Sequence, residues 1–143
     1  MPSTRNKVPW SVFLAEDNPE DEALTVRCLR QLSPSCRVRV ARDGEEALGF
    51  LKETATPTPD LVLLDLKLPK LNGIEVLGLM RGIRTLMGLP VVILSSSDEP
   101  SDVTACYEAG ANAFVCKPVN FDDYQEAVSV LGRFWLEFNR RPA

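Results

Sequence analysis

DLVLLDLKLPKLNG, residues 60–73, is the stretch on which the fold reading turns. Asp60 to Leu64 (DLVLL) is a continuous buried-type run that stops at an acid, Asp65. Runs of this kind suit parallel strands that are covered on both faces. Pro90 to Leu94 (PVVIL) reads the same way, and Trp10 to Ala15 (WSVFLA) and Ala113 to Cys116 (AFVC) are further short apolar runs. Arg37 to Ala41 (RVRVA) alternates, as a half-exposed strand does.

Helical spacing fills the intervals. Glu20 to Leu32 repeats apolar residues at Leu24, Cys28 and Leu32. Glu45 to Lys52 follows Asp43-Gly44 and carries Ala47, Leu48 and Leu51. Gly73 to Met87 carries Ile74, Leu77 and Met80, and Ser101 to Ala109 opens with Ser101 as its expected N-cap. Phe121 to Phe138 is the longest. The order is five βα units, which predicts an α/β fold: a doubly wound, five-stranded parallel sheet of the flavodoxin-like kind. One domain over 9–138 is expected, with 1–8 and 139–143 as loose ends.

Composition narrows the function. The 143 residues are 45% apolar, enough for one core, and 25% charged, with no apolar run near the roughly 20 residues of a membrane span. The first residues, MPSTRNK, lack the apolar run of a secretory signal, so a cytoplasmic protein is expected. Sixteen basic against 20 acidic residues, net −4, argue against nucleic acid as a partner. The four cysteines, Cys28, Cys36, Cys106 and Cys116, have no CxxC spacing and read as small hydrophobes. There is no histidine, so imidazole-based nucleophile machinery is excluded.

In a doubly wound sheet, ligands bind beyond the carboxyl ends of the strands. Those ends carry Glu16-Asp17-Asn18, Asp65, Ser95-Ser96 and Lys117-Pro118. Three carboxylates at one edge repel each other unless a cation sits among them, and hard oxygens suit Mg2+. A carboxylate beside such an ion can attack phosphorus, a lysine can meet a phosphoryl oxygen, and a serine can donate to one. Positioning and charge neutralisation are most of what phosphoryl transfer needs. Singly, each residue has a plainer reading: Asp17 as a helix N-cap, Asp43 as a turn residue, Lys117 as a solvated loop lysine, Ser95 as a turn former. Their joint appearance at four successive strand ends carries the argument.

FLAEDN at 13–18, LVLLDLKLPKLNG at 61–73, PVVILSSSD at 90–98 and GANAFVCKPV at 110–119 resemble the receiver domains of two-component response regulators, the CheY-like family, over about residues 10–137. The resemblance implies a phosphorylation-operated switch rather than a turnover enzyme. Asp65 would be the phosphoacceptor. Glu16, Asp17, Asp65 and the backbone carbonyl of Lys67 would hold Mg2+. Ser95 would bind the phosphoryl group, Phe114 would be the aromatic switch, and Lys117 would bridge to the phosphoryl oxygens. The acidic pair is Glu-Asp rather than Asp-Asp, and Phe114 lacks a phenol oxygen, so the switch would act by packing. EDNPED at 16–21 and GRFWLEFNRRP at 132–142 resemble the small stand-alone regulators paired with bacterial phytochrome-type histidine kinases.

Two other classes fit the sequence less well. An aspartate-nucleophile phosphohydrolase wants a second aspartate two residues after the nucleophile, where Lys67 stands; a flavodoxin-type flavin site wants a Ser/Thr/Gly phosphate loop where EDNPED stands. Output is expected through protein contact, or else the domain serves as a phosphate sink. In the last helix Tyr124, Val128, Leu131, Trp135 and Phe138 form one apolar stripe, with Ala127, Val130 and Phe134 beside it. The apolar arc spans roughly 180°, wider than a core-facing helix needs. Core or tail packing is the plainer reading of that arc; a self-association face is preferred, and the resemblance implies a homodimer through the fourth helix, fifth strand and fifth helix, a surface this family commonly uses.

Overall fold

The computed structural model describes residues 9–53 and 57–141. Five strands, β1 (Ser11–Ala15), β2 (Arg37–Ala41), β3 (Leu61–Leu64), β4 (Val91–Ser95) and β5 (Ala113–Cys116), form one parallel sheet in the order β2-β1-β3-β4-β5. Helices α1 (Pro19–Leu32), α2 (Gly44–Lys52), α3 (Gly73–Arg81), α4 (Pro100–Ala109) and α5 (Phe121–Gly132) alternate with them. The expected doubly wound sheet is what forms. The N-terminal segment expected at 1–8 lies outside the described residues.

Period-two alternation along the strands divides the core. Phe13, Ala15, Val62, Leu64, Val91 and Ile93 pack against α2, α3 and α4. Val12, Leu14, Leu61, Leu63, Val92 and Leu94 pack against α1 and α5. Both faces are covered, so all four residues of β3 are buried, which explains its unbroken apolar run. β2 is an edge strand, and its two arginines point outward.

Polar residues set the helix ends. Asn18 caps α1 by accepting from the Glu20 and Asp21 N–H groups, so Asp17 is not the cap. Asp43 does cap α2, accepting from the Glu46 N–H at 2.7 Å. Asn72 and Glu75 form a capping box on α3. The expected N-cap at Ser101 is corrected: α4 starts at Pro100, whose missing N–H suits a first helical turn.

Two helices differ from the expected spans. α3 ends at Arg81 rather than at Met87, and a short 3-10 helix, Arg84–Leu86, follows. The Arg81 guanidinium draws that segment around itself, donating to the carbonyls of Leu86, Met87 and Leu89 at 2.9, 3.1 and 2.8 Å. α5 passes into a π-helical turn, Arg133–Phe138. Its i→i+5 bonding slows the rotation per residue. The core stripe therefore runs Tyr124, Val128, Leu131, Leu136 rather than on to Trp135, which is only half-buried.

That corrects the expected dimer face. Tyr124, Val128 and Leu131 are buried under the helix and present nothing to a second chain. The exposed large apolar residues of this element are Phe121 at its start and Val130, Phe134 and Phe138 toward its end. Among the described residues no helix is long and apolar enough to cross a membrane.

Candidate functional site

The C-terminal edge of the sheet fixes the backbone of three candidate residues with its last hydrogen bonds. Glu16 N–H donates to the Ala41 carbonyl at 2.9 Å, Asp65 N–H to Ala15 at 3.0 Å and Lys117 N–H to Ser95 at 2.7 Å. β1 and β3 are neighbours although β2 lies between them in sequence. The chain reverses its winding direction at this point, where doubly wound sheets open a crevice.

The side chains converge there. Lys117 Nζ lies 2.6 Å from Glu16 Oε1, 2.8 Å from Asp21 Oδ2 and 3.1 Å from Asp65 Oδ2. Its side chain is only 7% exposed, so it is no solvated loop lysine. The second oxygens are also engaged: Glu16 Oε2 accepts from the Asn18 N–H at 3.2 Å, and Asp65 Oδ1 from the Lys67 N–H at 3.3 Å. Gly73 opens α3 directly over Asp65, where a Cβ would collide with the Asp65 carbonyl oxygen. Glycine lets the helix N-terminus close over the site.

Electrostatics follow from this packing. Burial pushes Glu16 up to about 7; the Lys117 hydrogen bond opposes that rise and the neighbouring Asp65 adds to it. Burial alone would lower the Lys117 ammonium, but its bonds to Asp21 and Glu16 and the charge of Asp65 outweigh it and raise it above its ordinary value. Lys117 is thus held as a cation, and an excess of carboxylates surrounds it.

Glu16, Asp17 and Asp65 each offer one oxygen, and these oxygens all lie within 4.8 Å of one another. Glu16 and Asp65 are buried, whereas Asp17 is exposed on the solvent side. An all-oxygen set without thiol or imidazole fits a hard divalent cation, which keeps waters on its open side.

Other candidates stand apart from this ammonium-centred group. Ser95 is fully buried, and its Oγ accepts from the Ser97 N–H at 3.3 Å. Ser97 Oγ in turn donates to Asp102 Oδ2 at 2.6 Å, which ties the loop after β4 to α4. Phe114 is half-buried on β5 and packs against the core layer of α2, α3 and α4.

Sequence reasoning missed Asp21. It lies in the first turn of α1, five residues beyond Glu16, and reaches the ammonium across the edge of the sheet. The signal was present in EDNPED, where a helix capped at Asn18 brings its first turn back beside the strand end.

Comparison with known proteins bears on the family and the fold. The family model for the response regulator receiver domain matches residues 12–129. The response regulator Rcp1 of Synechocystis is 34% identical over 145 residues, covering 99% of each chain. The Mn2+-bound form of Rcp1 superposes with a TM-score of 0.87 at 35% identity, over 94% of this chain and 100% of that one. The phosphorylated cyanobacterial phytochrome response regulator RcpA gives 0.88 at 34%, over 94% and 99%. The bacteriophytochrome response regulator AtBRR gives 0.70 at 44%, over 92% and 98%.

Proposed function

Because the chain belongs to the response regulator receiver domain family, we propose that Asp65 is its phosphoacceptor and that a histidine kinase of the bacterial phytochrome type supplies the phosphoryl group. One observation carries the assignment: Asp65 and Lys117, 52 residues apart, meet at 3.1 Å in a buried acidic crevice. The kinase class rests on the likeness to RcpA, a cyanobacterial phytochrome response regulator, and AtBRR, a bacteriophytochrome response regulator.

Each residue then has a task. An Asp65 carboxylate oxygen attacks the phosphorus of a phosphohistidine; the P–N bond breaks and its electron pair leaves with the imidazole. The Glu16, Asp17 and Asp65 carboxylates and the Lys67 carbonyl would hold a bound Mg2+, which would supply charge neutralisation at the phosphoryl oxygens. The Lys117 ammonium donates to a phosphoryl oxygen. The Ser95 hydroxyl gives up its bond to the Ser97 N–H and donates to the same group, and Phe114 turns inward behind it. With no phenol oxygen, Phe114 reports the change by packing alone. Lys67 stands where an aspartyl phosphohydrolase needs its second aspartate, which disfavours that alternative. The domain is a switch in the cytoplasm, and its output passes through protein contact.

We extend this to a homodimer through α4, β5 and α5. The supporting surface is Val130, Phe134 and Phe138, which are 61, 48 and 52% exposed, rather than the buried Tyr124, Val128 and Leu131. A twofold axis would set this strip against its own copy. Sedimentation of wild type against Val130→Glu/Phe134→Glu tests it: a monomeric wild type at micromolar concentration overturns the dimer.

The decisive experiment is labelling by a small phosphodonor in Mg2+. Wild type takes one phosphoryl group and Asp65→Asn takes none. Equal labelling of the variant overturns the assignment.

A further inference from the structure

We propose that Asp21 is a positioning residue for Lys117: it is the anchor that keeps the ammonium aimed at the crevice once the other two carboxylates are engaged elsewhere. This rests on Asp65 being the phosphoacceptor. The ammonium has three N–H donors, and all three are spent, on Glu16 Oε1, Asp21 Oδ2 and Asp65 Oδ2. The Asp65 contact is the longest, at 3.1 Å. A phosphoryl group on Asp65 takes over that donor. A divalent cation held by Glu16, Asp17 and Asp65 draws on the Glu16 oxygens as well.

Asp21 is not in that cation-binding set. It lies on α1 rather than at a strand end, and its first helical turn is fixed by the Asn18 cap. Of the three partners, it alone keeps its bond to Lys117 through both events. A lysine side chain has four rotatable bonds, and releasing it at both other partners would let it turn away from the phosphoryl oxygens. Holding it in place removes that entropic loss from anion binding.

The test is calorimetric titration of the full chain with beryllofluoride in saturating Mg2+, using wild type, Asp21→Ala, Asp21→Glu and Lys117→Ala, plus Asp21→Ala combined with Lys117→Ala. Losing one hydrogen bond to a charged group predicts about tenfold weaker binding for Asp21→Ala. Asp21→Glu restores most of the affinity, and Asp21→Ala changes nothing further once Lys117 is alanine. Unchanged or tighter binding by Asp21→Ala overturns the proposal, as does an equal loss in the Lys117→Ala background. If Asp21→Ala does not fold, Asp21→Asn, which keeps an acceptor oxygen, replaces it; a loss that Lys117→Ala does not abolish is again fatal. Asp65→Asn separates the two ideas: if it binds beryllofluoride like wild type, the phosphoacceptor assignment itself has failed.

Discussion

Gly73 lies against Asp65 so closely that a methyl group on its Cα would overlap the Asp65 carbonyl oxygen, while its own N–H donates to the Leu66 carbonyl at 2.8 Å. Backbone meets backbone here, and neither side can yield as a flexible side chain would. Gly73→Ala should lower stability by about 2 kcal/mol, typical of overpacking. It should also weaken phosphodonor labelling, because α3 has to retreat from Asp65. Urea unfolding and labelling of the same sample check both effects; a variant with wild-type values for each would show that the contact relaxes without cost.

Lys117 is the cation that lets Glu16, Asp21 and Asp65 share one crevice. Lys117→Met removes it and leaves buried carboxylates unpaired, at a cost of about 3 kcal/mol, the low end for a broken buried pair because Glu16 can take up a proton. Added Mg2+ should return part of this loss, since a divalent cation supplies the missing positive charge. Urea midpoints with and without Mg2+ measure it, and a metal-independent loss would count against the charge argument.

Tyr124 and Thr25 share a buried hydroxyl contact at 2.8 Å between α5 and α1. Burial pushes the Tyr124 phenol up to about 12, and the Thr25 hydrogen bond offsets this only in part. A phenol whose folded value lies above its unfolded value, about 10, contributes stability that is full below pH 10 and is lost as the pH rises from about 10 to 12. The loss should approach about 3 kcal/mol at the end of that window. Lys117, also raised, adds loss in the same alkaline range. The Tyr124 share is therefore the difference between wild type and Tyr124→Phe, whose curve should be flatter there. At neutral pH Tyr124→Phe should cost only about 1 kcal/mol, one hydrogen bond.

Arg81 ties three segments together. Besides the carbonyls after α3, its guanidinium donates to the Gly110 carbonyl at 3.0 Å and to Asn112 Oδ1 at 2.9 Å. Arg81→Met should cost about 3 kcal/mol by leaving partly buried carbonyls without a donor. Gly110→Ala should be comparably damaging: its φ of 112° disfavours any side chain, and a Cβ would press on Arg81 Cγ. Thermal unfolding of both variants checks this, and a loss under 1 kcal/mol in each would show the cluster to be ornamental.

Much of the site was readable because parallel sheets put their functional residues at one kind of place. Each strand announced itself by a short apolar or alternating run, and the next residue was by topology at the ligand edge. That argument named Glu16, Asp17, Asp65, Ser95 and Lys117, and the four charged residues among them converge at one edge of the sheet. It could not find Asp21, which lies within a helix, because whether a helix's first turn leans over the sheet edge depends on how α1 packs. Nor could it say that Ser95 is tied into its own loop through Ser97 and Asp102.

The last helix makes the same division plain. Its apolar positions and their helical spacing were in the sequence, and so was an arc too wide for the core alone. Which side of that arc faces outward was not, because a π-helical turn after Gly132 changes the rotation per residue and exchanges Trp135 for Leu136 in the core. Local patterns determined which elements form, their order and the chemistry at the strand ends. Side-chain partners separated by up to 101 residues, such as Glu16 and Lys117, were decided only when packing brought the elements together, because no short-range pattern encodes a distance across the sheet.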